Sequence, residues 1–322
     1  MTRPPPSLGA GAEFDLIRRL LDASAPDPPR VALGAGDDCA LIEAGEDYLA
    51  ISVDLAVEGV HFRAEWGTPE LIGQRAVRAA ASDLAAMAAV PIGVLVALSV
   101  PDDRDPGFTV RVGAGCREAA EALELGIIGG DLARGGSELR LDVVAVGSVR
   151  EPLLRGGARA GDELWVTGRV GAAAAAVEAW RAGREPAPEA QARFWRPEPR
   201  LSEARWLVER GASAGIDLSD GLVADAGHIA AASGVGIEID AGDVPAVSGI
   251  DLPLALSGGE DYELLVAVRQ GIFEEAVVEQ FEEVFGIPLS RVGRVVVGHG
   301  VRVFGDGGQE MELETRGYDH FA

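Results

Sequence analysis

The sequence predicts two α/β domains, and three observations carry that reading. Its 322 residues can fill one large core or two medium ones, and 48% hydrophobic with 25% charged residues is ordinary for a globular protein. Strand-like apolar runs alternate with alanine-rich helical stretches, and the alternation restarts after EPLLRGGARAGD (151–162). Acids recur where strand-like runs give way to glycine. The expected domains are residues 1–148 and 149–322.

The elements follow in order. DYLAISVDLAV (47–57) reads as a strand ending at the acid Asp54. TPELIGQRAVRAAASDLAAMAAV (68–90) has a Thr cap, a first-turn Pro and strong helix formers, so it reads as a helix. PIGVLVALSV (91–100) reads as a buried strand and 107–125 as a second helix. LGIIGGD (125–131) reads as a short strand breaking into a glycine turn, before the strand 138–149. In the second half, 163–170 is a strand, 171–180 a helix, and the Pro- and charge-rich 183–200 a surface excursion. GIDLSD (215–220) is a strand end, 221–233 a helix and 234–240 a strand. A strand at 262–268, a helix at 272–285 and strands near 291–297 and 301–304 complete the pattern.

Charge narrows the function classes. The chain has 28 basic residues against 52 acids, a net charge of −24, and it contains no lysine. Such a field repels nucleic acid and anionic lipid, so neither is expected as a partner. Without lysine there is no Walker A loop, no protein-kinase phosphate lysine and no Schiff base. Two cysteines, Cys39 and Cys116, allow no disulfide framework, and the four histidines are scattered singly. No run is long and apolar enough for a membrane span, and MTRPPPSLGAGAEF lacks the apolar core of a signal peptide. The expectation is a cytoplasmic protein.

The acids then carry the chemistry. Asp38, Asp54, Asp131, Asp217 and Asp220 all fall where a strand meets a glycine-containing turn, which in an open α/β sheet is where ligands sit. One such Gly-Asp is ordinary turn chemistry, but five together suit a hard cation held by oxygen, Mg²⁺ above all. Asp83 lies in an apolar helix, where a solvent-facing acid and a metal ligand are both open readings. Arg155 precedes a glycine pair and is either a solvated linker residue or a phosphate-facing cation.

These residues lie in motifs with a known likeness. GAGDDCALI, SVDLAVEGVHF, ASDLAAMAAVP, IGGDLARG, IDLSDGLVADAGHI, ALSGGEDYEL and RGYDHF resemble, in order, the motif series of the thiamine-monophosphate kinase family. That family is part of the aminoimidazole ribonucleotide synthetase superfamily. The resemblance runs from about residue 13 to the end. It implies an α/β (α+β) fold of two-domain aminoimidazole ribonucleotide synthetase-like architecture, with N-terminal domains pairing in a homodimer. It also implies direct transfer of the ATP γ-phosphoryl onto thiamine monophosphate, with several Mg²⁺ ions as cofactors and ATP as co-substrate.

By motif position, Asp38, Ser52, Asp54, Asp83, Asp131, Asp217 and Asp220 would be metal ligands. Val53 stands where the family commonly has Thr, so a ligand there must be its backbone carbonyl. Gly130, Asp131, Arg155 and Ser219 would contact ATP, while His61 and Glu260 would meet thiamine monophosphate. Thr315 stands near the place of a family tryptophan and Tyr318 is the nearest aromatic, so substrate contact falls to this pair. No separate catalytic base is assigned.

Rival readings differ in their chemistry. Selenophosphate synthetase would need a reactive Cys in a glycine-rich N-terminal segment, whereas Cys39 sits in an apolar run. A hydrogenase-maturation relative would want a C-terminal cysteine, and this chain ends DHFA. A non-catalytic divalent-cation binder would use a contiguous ligand loop, and none is present.

Overall fold

The structure, a computed structural model, describes residues 11–22, 28–305, 307–313, 315, 317 and 318. Of the terminal RGYDHF motif, Arg316, Asp319, His320 and Phe321 lie outside the described residues.

The first half contains α1 (Ala12–Asp22), β1 (Val31–Leu33), β2 (Ala40–Ala44), β3 (Asp47–Val57), α2 (Pro69–Ala86), β4 (Val90–Val100), α3 (Pro106–Ala122), β5 (Gly126–Arg134) and β6 (Arg140–Val149). The second half contains β7 (Asp162–Thr167), α4 (Ala172–Arg181), α5 (Pro188–Trp195), α6 (Leu201–Glu209), β8 (Ala212–Asp217), α7 (Leu222–Ser233) and β9 (Gly236–Asp240). It closes with α8 (Leu252–Ser257), β10 (Leu264–Arg269), α9 (Glu275–Phe285), β11 (Leu289–Val296) and β12 (Gly300–Phe304). Each half builds one six-stranded mixed sheet, in the orders β1-β2-β3-β6-β4-β5 and β12-β9-β11-β7-β10-β8.

Helix α2 organises the first half. Thr68 caps it by accepting from the Leu71 amide at 3.5 Å, and Pro69 takes the first turn, where no amide partner is needed. Nearly every side chain from Ile72 to Ala86 is buried, because α2 is covered by the first sheet, by α3 and by α5 and α6. Its contact with α3 is a backbone-to-backbone approach. A Cβ on Gly73 would stand 2.1 Å from the Val112 carbonyl oxygen, and one on Gly115 would stand 1.9 Å from that of Glu70.

Residue pairing sorts the first sheet into two faces. Ser52, Asp54, Val143 and Val94 share the face under α2 and α3. The opposite face is open and apolar, with Val53 64% and Leu55 47% exposed, and Ile92 on β4 is exposed as well. The second sheet carries α7 and α8 against one face, and α6, α9 and the end of α2 against the other.

Four expectations need correction. The strand of DYLAISVDLAV does not end at Asp54, since β3 continues to Val57 and the acid sits inside it. PIGVLVALSV is not a buried strand, because β4 has one side on the open face and Ile92 is exposed. LGIIGGD does not break into a turn: β5 continues, with one register irregularity at Ile128, through Gly129 and Gly130 to Arg134, parallel to β4. Glycine is required there by crowding, since a Cβ on Gly130 would meet the Val96 carbonyl oxygen at 2.0 Å. Residues 183–200 are not a surface excursion, because they contain α5, whose Phe194 and Trp195 are 0% and 1% exposed. Those rings complete the core under α2, together with Trp66 and Trp180.

The glycine packing predicts a contrast on α3. Gly115→Ala should lower unfolding free energy by roughly 2 kcal/mol through overpacking. Gly113→Ala, with nothing within 4 Å of its added Cβ, should be neutral or stabilising from helix propensity. Denaturant midpoints of the two variants decide it, and equal destabilisation would contradict this account of the helix pair.

Candidate active site

Three carboxylates converge where the two sheets meet. Asp38 lies between β1 and β2, Asp83 in the last turn of α2, and Asp217 at the end of β8. Their oxygens lie within 4.8 Å of one another. The Ser52 hydroxyl, on β3, donates to Asp83. Arg155, in the segment joining β6 to β7, donates from Nη2 to Asp38 Oδ1 at 2.6 Å, and its amide donates to the Asp37 carboxylate at 3.2 and 3.3 Å.

The electrostatics follow from crowding. Burial, with Asp38 beside it, pushes both Asp37 and Asp217 up to about 7. Burial, then Asp217 and Asp38, holds Asp83 well above the usual carboxylate range. Burial works against the charge of Arg155, but Asp38, Asp37 and Asp217 more than offset it. One oxygen of the trio, Asp38 Oδ2, is buried with no hydrogen-bond partner among the described residues. An oxygen-only set with an orphaned buried oxygen fits a hard divalent cation.

Beside this cluster lies a cleft of about 590 Å³. Asp54, His61, Ser219, Asp220, Glu260, Thr315 and Tyr318, all expected at the site, line it. Burial, then Glu260, raises Asp54 to about 6 against the opposing pull of Arg75. His61 accepts the Val57 amide on Nδ1 at 3.0 Å, which leaves the neutral ring's proton on Nε2. Thr315 donates to the Ser257 hydroxyl at 3.3 Å. Trp66 and Phe194 give the cleft an aromatic wall, so the missing C-terminal tryptophan does not leave it without rings.

Backbone pairing shapes the acidic loop of SGGEDYEL. The Glu260 and Tyr262 amides donate to the Ser219 and Leu218 carbonyls, both at 2.8 Å, and both residues take left-handed backbone, with φ 74° and 53°. Its carboxylates then part. Asp261 accepts the Gly171 amide at the start of α4, Glu263 is buried against Arg200 and Thr167, and Glu260 faces the cleft.

Other expected residues stand elsewhere. Gly130 and Asp131 are exposed on the edge strand β5, and Asp131 pairs through Ala97 and Asp142 to Leu55 on the open face. Three strand spacings, roughly 14 Å, separate it from β3. The Val53 side chain also points to the open face, away from Asp83.

Sequence reasoning missed several neighbours. Asp225 and His228 lie with Asp220 in a second group whose ligand-type atoms are within 4.8 Å of one another. Their spacing of three on the helix after DLSDGL was a readable sign that they share a face. Arg75 precedes Asp83 by eight residues on α2, but nothing local announces that it meets Glu260.

Comparison with known proteins agrees with this arrangement. The family models for AIR synthase related protein match the chain twice, the N-terminal domain over residues 36–149 and the C-terminal domain over 159–306. Fold and acid-lined junction thus define an AIR synthase related protein. A thiamine-monophosphate kinase from Escherichia coli is 34% identical over 330 residues, covering 97% of this chain and 99% of the relative. Another, from Mycobacterium tuberculosis, is 37% identical over 273 residues, 81% of each chain. The solved structure "AaThiL complexed with AMPPCP and TMP" superposes with a TM-score of 0.81 at 30% identity, covering 96% of both chains. The chain belongs to the thiamine-monophosphate kinase family.

Proposed function

We propose that this enzyme transfers the γ-phosphoryl of ATP onto the phosphate of thiamine monophosphate, giving thiamine diphosphate. The observation that carries the reading is the adjacency of an oxygen-only acid cluster to an acidic, ring-lined cleft. Phosphoryl transfer asks for positioning and charge neutralisation, and Mg²⁺, when bound, supplies the positive charge that a chain without lysine lacks. The AaThiL structure, complexed with AMPPCP and TMP, supports the same pair of ligands.

In this reading Asp38, Ser52, Asp54, Asp83, Asp217, Asp220 and the Val53 carbonyl would hold the ions, and Arg155 and Ser219 would meet ATP. Gly130 and Asp131, on the edge strand β5, would join such a site only across a subunit boundary. Arg155 holds Asp38 and Asp37 in place, so it reaches nucleotide from among the metal ligands rather than from a solvated linker. His61, Glu260, Thr315 and Tyr318 face the acceptor, whose cationic ring and amino group suit the Glu260 carboxylate. The acceptor phosphate oxygen is already a competent nucleophile, so no side chain need act as base.

The open apolar face of the first sheet is the pairing surface of a homodimer in this reading, and it brings Gly130 and Asp131 to the subunit boundary. Neither nucleic acid nor membrane is a partner. No helix among the described residues is long and apolar enough to cross a membrane, and cytoplasmic location follows from this reading.

Purified protein with ATP and Mg²⁺ should convert thiamine monophosphate to thiamine diphosphate and leave free thiamine untouched. Turnover of thiamine but not of its monophosphate would sink the assignment. Sedimentation equilibrium should give a dimer that Leu55→Arg dissociates, whereas a wild-type monomer would remove the open-face pairing.

A further inference from the structure

Arg75 is a deeply buried cation that the reading above leaves without a role. It is 4% exposed in the middle of α2. Its Nη1 donates to the Phe194 carbonyl at 2.5 Å, Nη2 pairs with Glu260 Oε2, and the guanidinium lies 4.0 Å from the centre of the Phe194 ring. The Tyr262 hydroxyl donates to the same Glu260 oxygen at 3.0 Å. Glu260 and Phe194 both line the cleft, and Arg75 does not. One buried guanidinium therefore fixes an acid and a ring of the acceptor wall from behind.

We propose that Arg75 is a positioning residue for acceptor recognition, acting through Glu260. Arg75 and Tyr262 occupy Oε2 and set the rotation of the carboxylate, so that Oε1 is presented to the cleft for the acceptor's amino group and cationic ring. A planar guanidinium does this better than an ammonium, because one donor edge binds the carboxylate while another anchors to the Phe194 carbonyl. The same helix carries Asp83 eight residues later, about 12 Å along its axis. Helix α2 thereby fixes the separation between the metal-binding acids and the carboxylate that reads the acceptor. A substrate whose ring meets Glu260 has its phosphate placed by the same rigid body.

The inference rests on the acceptor-side reading of Glu260, and a double-mutant cycle separates the two. Glu260→Gln should raise the KM for thiamine monophosphate while leaving that for ATP nearly unchanged. Arg75→Met should raise the thiamine monophosphate KM by at least about tenfold, with the ATP value within about twofold. Arg75→Lys should restore part of the loss. In the Glu260→Gln background, Arg75→Met should add less than about twofold, because its route of action is already gone. If Arg75→Met does not fold, Tyr262→Phe and Arg75→Lys carry the test, each with a smaller rise in the same constant that vanishes in the Glu260→Gln background. Additive effects, equal rises in both KM values, or a lowered melting temperature with both KM values unmoved overturn the role of Arg75. An unchanged acceptor KM in Glu260→Gln overturns this inference and the acceptor-side reading together.

Discussion

Asp38, Asp83 and Asp217 come from three separated stretches of chain, yet their oxygens lie within 4.8 Å of one another. At that separation two ionised carboxylates repel by on the order of 3 kcal/mol at an effective dielectric near 20. Arg155 offsets part of this through Asp38, while Asp217 and Asp83 respond by holding their protons more tightly. Such a gathering of acids fits the proposed divalent cation, and the rest of the molecule can be read as what holds the acids in place. The first sheet contributes Ser52 and Asp54, the second contributes the DLSD turn, and α2 passes between them with Asp83.

Keeping α2 there imposes its own conditions. Glycines 73 and 115 let α3 close against it, and α5 seals it with Phe194 and Trp195. The core of the first half is therefore completed by side chains from α4, α5 and α6 of the second. The junction between the halves is a shared core, not a hinge lined by solvent. This places the cleft, whose walls come from both halves, under the same packing that fixes the acid cluster.

Much of this was legible in the sequence. Acids beside glycine-containing turns announced Asp38, Asp217 and Asp220, and Asp54 with them, although it sits inside β3 rather than at its end. The strands β3, β4 and β6 and the helix α2 stood out through apolar runs and a Thr-Pro start. What failed had physical reasons. Proline and charge in 183–200 outweighed the one local sign of burial, the adjacent Phe194 and Trp195. Gly129 and Gly130 signal a turn in composition, yet they serve close strand packing. The partnership of Arg75 with Glu260 spans 185 residues, and no local pattern encodes a contact of that range.

The central claim is that the acid trio is mutually repulsive without a cation and stabilising with one. Melting temperatures of wild type and Asp217→Asn, taken with and without Mg²⁺ at mildly alkaline pH, test it most directly. Carboxyls whose pKa is raised on folding cost stability as pH climbs through about 7, so alkaline conditions expose the repulsion in full. Without metal, Asp217→Asn should melt above wild type, and saturating Mg²⁺ should raise wild type past the variant. A wild type that is the more stable without metal, and indifferent to Mg²⁺, would contradict the account.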